Sequence, residues 1–318
     1  MSNSILGQEK GMVLLLVLVV VALVAGLLSE FSFSSLVDLR LAETYRDSTR
    51  AYHLARGGVR AAQVILKQDQ NSYDARSEMW GRGVANFPVG DGTVTISIED
   101  LDGLLDINAL VSGNNPQPAQ MDRFLRLFTD LGLEQPQNLV AALIDWLDSG
   151  DDVYSKDGAV GAESSYYLSL NPPYQARNGK MTSLTELALV KGFSREVIDK
   201  IKPYVTVFGT MKVNINTAPA EVISTLYLSE DKPVALEDGQ KIVDARNDAP
   251  FTMVGDFSEA FPNLAGQFPT SGQVDYSLQY ASDYYRIRSQ AWVNDGTSLV
   301  TAVVQKSKNY RILYLRVD

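Results

Sequence analysis

The strongest pattern in the chain is an unbroken apolar run, "MVLLLVLVVVALVAGLL", from Met12 to Leu28, bracketed by Lys10 and Glu30. A run of that length stands at the lower limit for a helix that crosses a bilayer. No proline follows before Pro88, and helix-forming residues continue through "VDLRLAETYRDSTRAYHLARGGVRAAQVILKQ". Within that stretch Tyr45, Tyr52, Val59 and Leu66 recur seven apart, with Ala55 and Ala62 between them. Such spacing is the apolar stripe of an amphipathic helix. The two patterns predict one helix from about Met12 to about Lys67, roughly 80 Å long at 1.5 Å per residue. Gly57-Gly58 is expected to soften it, since each Gly costs about 1 kcal/mol relative to Ala. Alternation then takes over. In "DGTVTISIED", Val94, Ile96 and Ile98 are expected to face a core, and Thr93, Thr95 and Ser97 to face water. The same two-residue period returns in "DYYRIRSQAWV", "TSLVTAVVQK" and "YRILYLRV", separated by connections short enough for hairpins.

Between the first alternating segment and the last three lie about 180 residues of helical pattern. "PAQMDRFLRLFTDLGLE", "PQNLVAALIDWLDSG", "SLTELALVKGFSREVIDKIKPYV", "NTAPAEVISTLYL" and "LEDGQKIVDARND" each carry apolar residues at helical spacing. Thr217 is expected to cap the fourth, with Pro219 in its first turn. The fold predicted is α+β: a long N-terminal helix packed on a small antiparallel sheet, with a large all-α domain inserted between strands. The expected division is 1–11 as leader and 12–67 as the long helix, of which about 12–30 spans a membrane. Residues 68–102 and 283–318 are expected to form the sheet, and 103–282 the inserted α-domain. Asp100 and Asp102 bound that domain at its start, and the Pro/Gly-rich "FPNLAGQFPTSGQ" bounds it at its end.

Composition narrows the function. The 318 residues contain no Cys and a single His, His53, on the long helix. No disulfide is available, thiol chemistry is excluded, and a serine triad would need His53 far from the α-domain, so the chain is read as a non-enzyme. The net charge is −10, concentrated between Gly103 and Ser282, where about 23 acidic residues face about 13 basic ones. An acidic central region is a poor match to phosphate backbones.

The junction Lys10-Gly11-Met12, ahead of a long apolar helix, resembles the cleavage site of type IV prepilins and secretion pseudopilins. The resemblance implies that a prepilin peptidase cuts after Gly11, that Met12 becomes the methylated first residue, and that the apolar run is kept as an inner-membrane anchor. The fifth mature residue is Leu16, where most of that family carries Glu. A carboxylate within the bilayer is costly unless paired, and the expected partner in the family is a neighbouring subunit's N-terminal amine. Leu16 cannot make that pair and therefore marks a filament end. The class lacking this Glu is the K-type minor pseudopilin of the type II secretion system. Blocks such as "LLDINAL", "DWLDSG", "GAESSYYLSLNPPY", "MTSLTELALVKGF", "KPYVTV" and "VNINTAPAEVI" resemble that family in order along most of the chain. The resemblance implies a pilin-like layout, a periplasmic bulk, and a place at the pseudopilus tip supporting filament initiation and protein export. Its implied partners are other minor pseudopilins (I- and J-type), the major pseudopilin, the prepilin peptidase and the inner membrane. Helix-to-helix contacts are expected along the Tyr45–Leu66 stripe and its flanks.

Candidate site chemistry is concentrated in "DWLDSGDDVYSKDGAVGAESSYY". Asp145 and Asp148 share a helix face, Asp151 and Asp152 follow the turn at Gly150, and Glu163 returns after a glycine-containing loop. Hard oxygen ligands on a loop suit calcium, and without His or Cys nearby they do not suit zinc. From the residues alone the stretch reads either as a calcium site or as a solvated acidic loop. The K-type resemblance implies calcium, matched best by Asp145, Asp148 and Glu163. Gly150 stands where a further acid is expected, which leaves Asp151 or Asp152 to substitute.

Two rival readings use the same features. One is a single-pass periplasmic receptor or adaptor with a calcium-stabilised domain. The other is a membrane-tethered nucleic-acid-binding protein, because "VNINTAPAEVI" resembles the start of a helix-hairpin-helix module. Such modules need a Gly-rich hairpin with basic neighbours. The equivalent stretch here, "LYLSEDKP", has no Gly and carries Glu230 and Asp231, so no nucleic acid is expected.

Overall fold

The computed structural model describes residues 5–229, 232–265 and 278–318. Residues 1–4 of the expected leader, Glu230 and Asp231 of the second hairpin, and the Pro/Gly-rich boundary from residue 266 onward lie outside the described residues. Helix α1 runs without interruption over Ile5–Gln68. It begins ahead of Met12, the expected start, because no proline interrupts the backbone ladder on the leader side of Gly11. Among the described residues α1 is the one helix long and apolar enough to cross a membrane, and its apolar window is not buried within the chain.

The second half of α1 lies on a five-stranded antiparallel sheet: β1 Val84–Val89, β2 Gly92–Asp100, β3 Tyr284–Val293, β4 Gly296–Gln305 and β5 Arg311–Val317, in the order β1-β2-β3-β4-β5. Ala55, Val59, Ala62 and Leu66 of α1 are buried against Val94, Ile96 and Ile98 of β2, Ile287 and Ala291 of β3 and Val300 and Ala302 of β4. Small residues let the helix axis come close to the sheet. Gly58 is the extreme case, since a Cβ there would stand 2.1 Å from Ser289 Oγ. Beyond softening the helix, then, this glycine permits the approach. The stripe is shorter than expected: Tyr45 is 78% exposed. The sheet ends at the β3–β4 turn, where the Asn294 amide donates to Asp47 Oδ2 at 3.0 Å, so α1 has nothing to pack on before Asp47.

Strand β1 departs from the sequence expectation of one strand before the insertion. It is an edge strand, largely exposed, with a register shift between Val84 and Phe87 and Pro88 inside it. Exposure on both faces removes alternation, and an edge strand tolerates proline. The sequence signal was absent for physical reasons.

Strands β2 and β3 are direct neighbours, Asp100 opposite Tyr285 and Gly92 opposite Val293. The chain between them leaves and re-enters at the Asp100/Tyr285 end of the sheet. That end lies beside Leu66, whose carbonyl accepts a hydrogen bond from the Tyr310 hydroxyl at 2.7 Å, while the opposite end lies beside Asp47. The insertion therefore emerges at the end of the sheet farthest along α1 from the apolar run, roughly 28 Å beyond Asp47 at the helical rise.

The insertion carries α2 Pro118–Asp130, α3 Pro136–Leu147, α4 Ser164–Leu168, α5 Arg195–Ile201, α6 Ala220–Ile223, α7 Leu236–Asp248 and α8 Val254–Ala260. It is not purely helical as expected, because several two-stranded ladders tie its connections together, among them Leu105–Asp106 with Val205–Thr206. Phe124, Leu127 and Phe128 of α2 pack with Leu143 of α3 and Phe193 in one core. Each such side chain removes apolar surface worth about 1.5–3 kcal/mol.

Thr217 does not cap α6; Pro219 holds that position. The Thr217 hydroxyl instead donates to the buried carboxylate of Asp100. Asp100 also accepts from Asn214 Nδ2 at 3.0 Å, Ser282 Oγ at 2.7 Å and the Asp102 amide at 2.8 Å. Asp102 in turn accepts from the amides of Thr210, Asp283 and Tyr284. The carboxylates that marked a boundary in the sequence fasten the outgoing and returning strands to the insertion.

Candidate metal centre

Helix α3 ends at Leu147 and positions two acids. Asp145 lies in its last turn, and Asp148 is its C-cap, in extended backbone. The chain then turns at Gly150, whose amide donates to Asp148 Oδ1 at 2.8 Å. It crosses the short ladder Ser155–Lys156 with Ala159–Val160 and reaches Glu163, the N-cap residue of α4. The Glu163 side chain makes no capping bond there. It points to the two aspartates instead, and one carboxylate oxygen from each of Asp145, Asp148 and Glu163 lies within 4.8 Å of the others.

Asp145 and Glu163 are almost completely buried, at 0% and 1% exposure. Asp145 Oδ1 accepts from the Tyr154 amide at 2.9 Å. Asp145 Oδ2 and both Glu163 oxygens are buried without a hydrogen-bond partner. Two carboxylates about 4 Å apart repel by about 4 kcal/mol at an effective dielectric of about 20, and three of them need protons or a cation. Burial, then the charges of Asp145 and Asp148, push the Glu163 carboxyl up to about 7. Burial, with Asp148 adding repulsion, pushes Asp145 up to about 6; burial also raises Asp148. Lys191 does not neutralise the group directly: its ammonium donates to the Gly161 carbonyl at 3.0 Å and sits 5.0 Å from the Tyr166 ring. Gly161 is itself part of the cradle, since a Cβ there would stand 2.0 Å from Asp145 Oδ2.

Orphaned buried carboxylate oxygens, an all-oxygen donor set and no His or Cys fit a hard divalent ion of the calcium type. Asp151 and Asp152 are exposed and stand outside the three-carboxylate group. A second group of acids, Asp69, Asp74 and Glu78, was not singled out in the sequence, where its members are spread through a linker. Asp69 Oδ2 is buried without a hydrogen-bond partner, but the other two acids are engaged. Asp74 accepts from the Ser282 amide at 2.7 Å, the Tyr285 hydroxyl at 2.6 Å and Lys306. Glu78 accepts from the Ala75 amide and Trp80 Nε1.

The remaining predicted positions are elsewhere. Gly11, Met12 and Leu16 lie on the exposed, apolar part of α1. In the region likened to helix-hairpin-helix modules, the first turn has Gly192 at φ +87° before α5. Between α6 and α7 stands a short ladder, Tyr227–Ser229 with Lys232–Pro233, in place of a glycine-rich loop.

The family description "Type II secretion system (T2SS), protein K" matches residues 103–210 and 213–276, together more than half of the chain. The type II secretion system protein K of Pseudomonas aeruginosa is 28% identical, over 98% of this chain and 92% of that protein. The protein of the same name from Aeromonas hydrophila is also 28% identical, over 97% and 96%. A crystal structure of the GspK-GspI-GspJ complex from the enterotoxigenic Escherichia coli type 2 secretion system superposes with a TM-score of 0.64. It covers 88% of this chain and 99% of that one at 17% sequence identity, a likeness of fold.

Proposed function

The chain belongs to the protein K family of type II secretion systems, the minor pseudopilins of that machinery, and on that premise we propose that it caps the membrane-distal tip of the secretion pseudopilus. The observation that carries this reading is where the insertion leaves the sheet. About 180 residues emerge at the Leu66 end, beyond the last turn of α1 and away from the anchor. A subunit stacked farther out along the filament axis would have to occupy that volume. A subunit nearer the membrane meets only the stalk and the lower sheet. Leu16 supports the same position, because it offers no carboxylate to the amine of a further subunit.

In this reading the prepilin peptidase cuts between Gly11 and Met12, the new N-terminus is methylated, and α1 is a single inner-membrane span with the bulk of the chain in the periplasm. The chain serves as a structural component of export. It joins I- and J-type minor pseudopilins in a tip complex, as the E. coli complex joins GspK with GspI and GspJ, and the complex meets the major pseudopilin below. Asp145, Asp148 and Glu163 would hold calcium, whose charge neutralises the three carboxylates and ties the end of α3 to the start of α4. The test is mass analysis of the N-terminus of the protein recovered from membranes. A chain starting at methylated Met12 is expected. An intact Met1, or a cut near Ala25 or Ser29, would overturn the pseudopilin processing.

A further inference from the structure

Arg246 of α7 is 7% exposed, and among the described residues no carboxylate pairs with it. Arginine is seldom buried without a counter-charge, because a desolvated cation is costly unless something negative accompanies it. Its one acceptor among the described residues is the main-chain carbonyl of Ile215, to which Nη1 donates. Nε and Nη2 have no acceptor there and keep contact with solvent. The acids nearest in sequence do not help: Asp244 accepts from Gln240 Nε2 at 3.0 Å, and Asp248 is exposed.

A second cation stands near the first. Arg76, on the segment after α1, is exposed and donates Nη2 to the Thr217 carbonyl at 2.8 Å, two residues from Ile215. It too has no ion pair among the described residues. Burial, and then the charge of Arg76, lower the Arg246 guanidinium to about 10. The acids around this loop are occupied. Asp74 is taken by Lys306, Tyr285 and Ser282, and Asp100 by Thr217, Asn214, Ser282 and the Asp102 amide. The loop itself is fixed. Asn214 Nδ2 donates to the Asp74 carbonyl at 2.9 Å, and Asn216 exchanges two hydrogen bonds with the Phe251 backbone, at 2.8 and 2.9 Å, just beyond the end of α7. A rigid frame therefore holds two guanidiniums near each other, in a chain of net charge −10, with no carboxylate on either.

We propose that Arg246 and Arg76 bind a small doubly charged oxyanion, of the phosphate or dicarboxylate class, which joins the segment after α1 to α7 and so fastens the insertion to the sheet. The free Nε and Nη2 of Arg246 form a fork that matches two oxygens of one phosphate or carboxylate. Arg76 supplies the second positive charge, which favours a dianion over chloride. Only a small group reaches a guanidinium as enclosed as that of Arg246.

The test is calorimetric titration and thermal melting of the full chain in detergent, stripped of calcium beforehand. Inorganic phosphate and succinate are the probes, against chloride at equal ionic strength. One or both should raise the melting temperature, by about 3 °C at ten times the dissociation constant; the probe that binds more tightly tells the phosphate from the dicarboxylate class. Arg246→Lys keeps the charge but loses the fork, and should weaken binding by about tenfold or more. Arg76→Gln, at an exposed position where folding is not at stake, should weaken it as well. Arg195→Gln, on the exposed face of α5, should leave it unchanged. If neither probe exceeds chloride, or if Arg76→Gln and Arg246→Lys bind as tightly as the wild-type chain, the two arginines are not an anion site. Neither belongs to α1 or to the three-carboxylate centre, so that outcome leaves the pseudopilin reading untouched.

Discussion

Three carboxylates with no ion-pair partner among the described residues set the behaviour of the candidate metal centre at the scale of single residues. Their carboxyls titrate higher in the folded protein than in the unfolded chain, Glu163 near 7 and Asp145 near 6. The folded state therefore holds more protons than the unfolded state from about pH 4 to about pH 7, and metal-free stability falls as pH rises through that window. Calcium requires the ionised forms, so its effect runs the other way. Calcium at a hundred times its dissociation constant adds about 2.7 kcal/mol. The melting temperature with and without chelator should diverge above pH 7 and converge below about pH 5. A chelator effect of equal size at both ends would contradict the site. Glu163→Gln removes one buried charge and supplies N–H donors toward Asp145. It should raise the metal-free melting temperature and erase the calcium increment; a retained increment would show that Glu163 is not a ligand. Asp145, Asp148 and Glu163 were legible in the sequence because acids recurred around a helix end. The exposure of Asp151 and Asp152 was legible too, in their polar run; the burial that leaves the oxygens of Asp145 and Glu163 unpartnered was not. That burial depends on how α4 folds back on α3.

Individual elements explain what sequence patterns reveal. Helix α1 and the strands β2, β3 and β4 were read directly, since each buries one face against the others and periodicity records burial; β5 is largely exposed and was read from the alternation of its residues alone. Strand β1 was missed because its faces are exposed and it carries Pro88. Thr217 was misread as a cap because a cap is the local use of threonine, whereas its actual partner, Asp100, lies 117 residues away. Position 58 shows how tightly the elements are set: Gly58→Val would drive its side chain into Ser289 and Val94. A loss of about 2 kcal/mol or more is expected from overpacking of this kind, measured by denaturant unfolding of the intact chain. Gly57→Val one residue earlier should cost little in the same measurement. Equal losses at the two positions would mean that α1 does not approach β3 as closely as described.

At the scale of the whole molecule, the direction of α1, the end of the sheet at which the insertion leaves, and the residue at position 16 converge on one place in a filament. The anchor end of α1 is bare, the sheet covers only its distal half, and the insertion continues beyond Leu66. A position fixed by that bulk does not depend on Leu16 alone, so Leu16→Glu should still assemble and support secretion; loss of secretion would assign the end position to the membrane segment instead. The central claim is tested most directly by counting. A label on the exposed Asp152 loop, visualised on pseudopili and scaled against the major subunit, should appear once per filament, at one end. Labels repeated along the shaft would contradict a capping subunit.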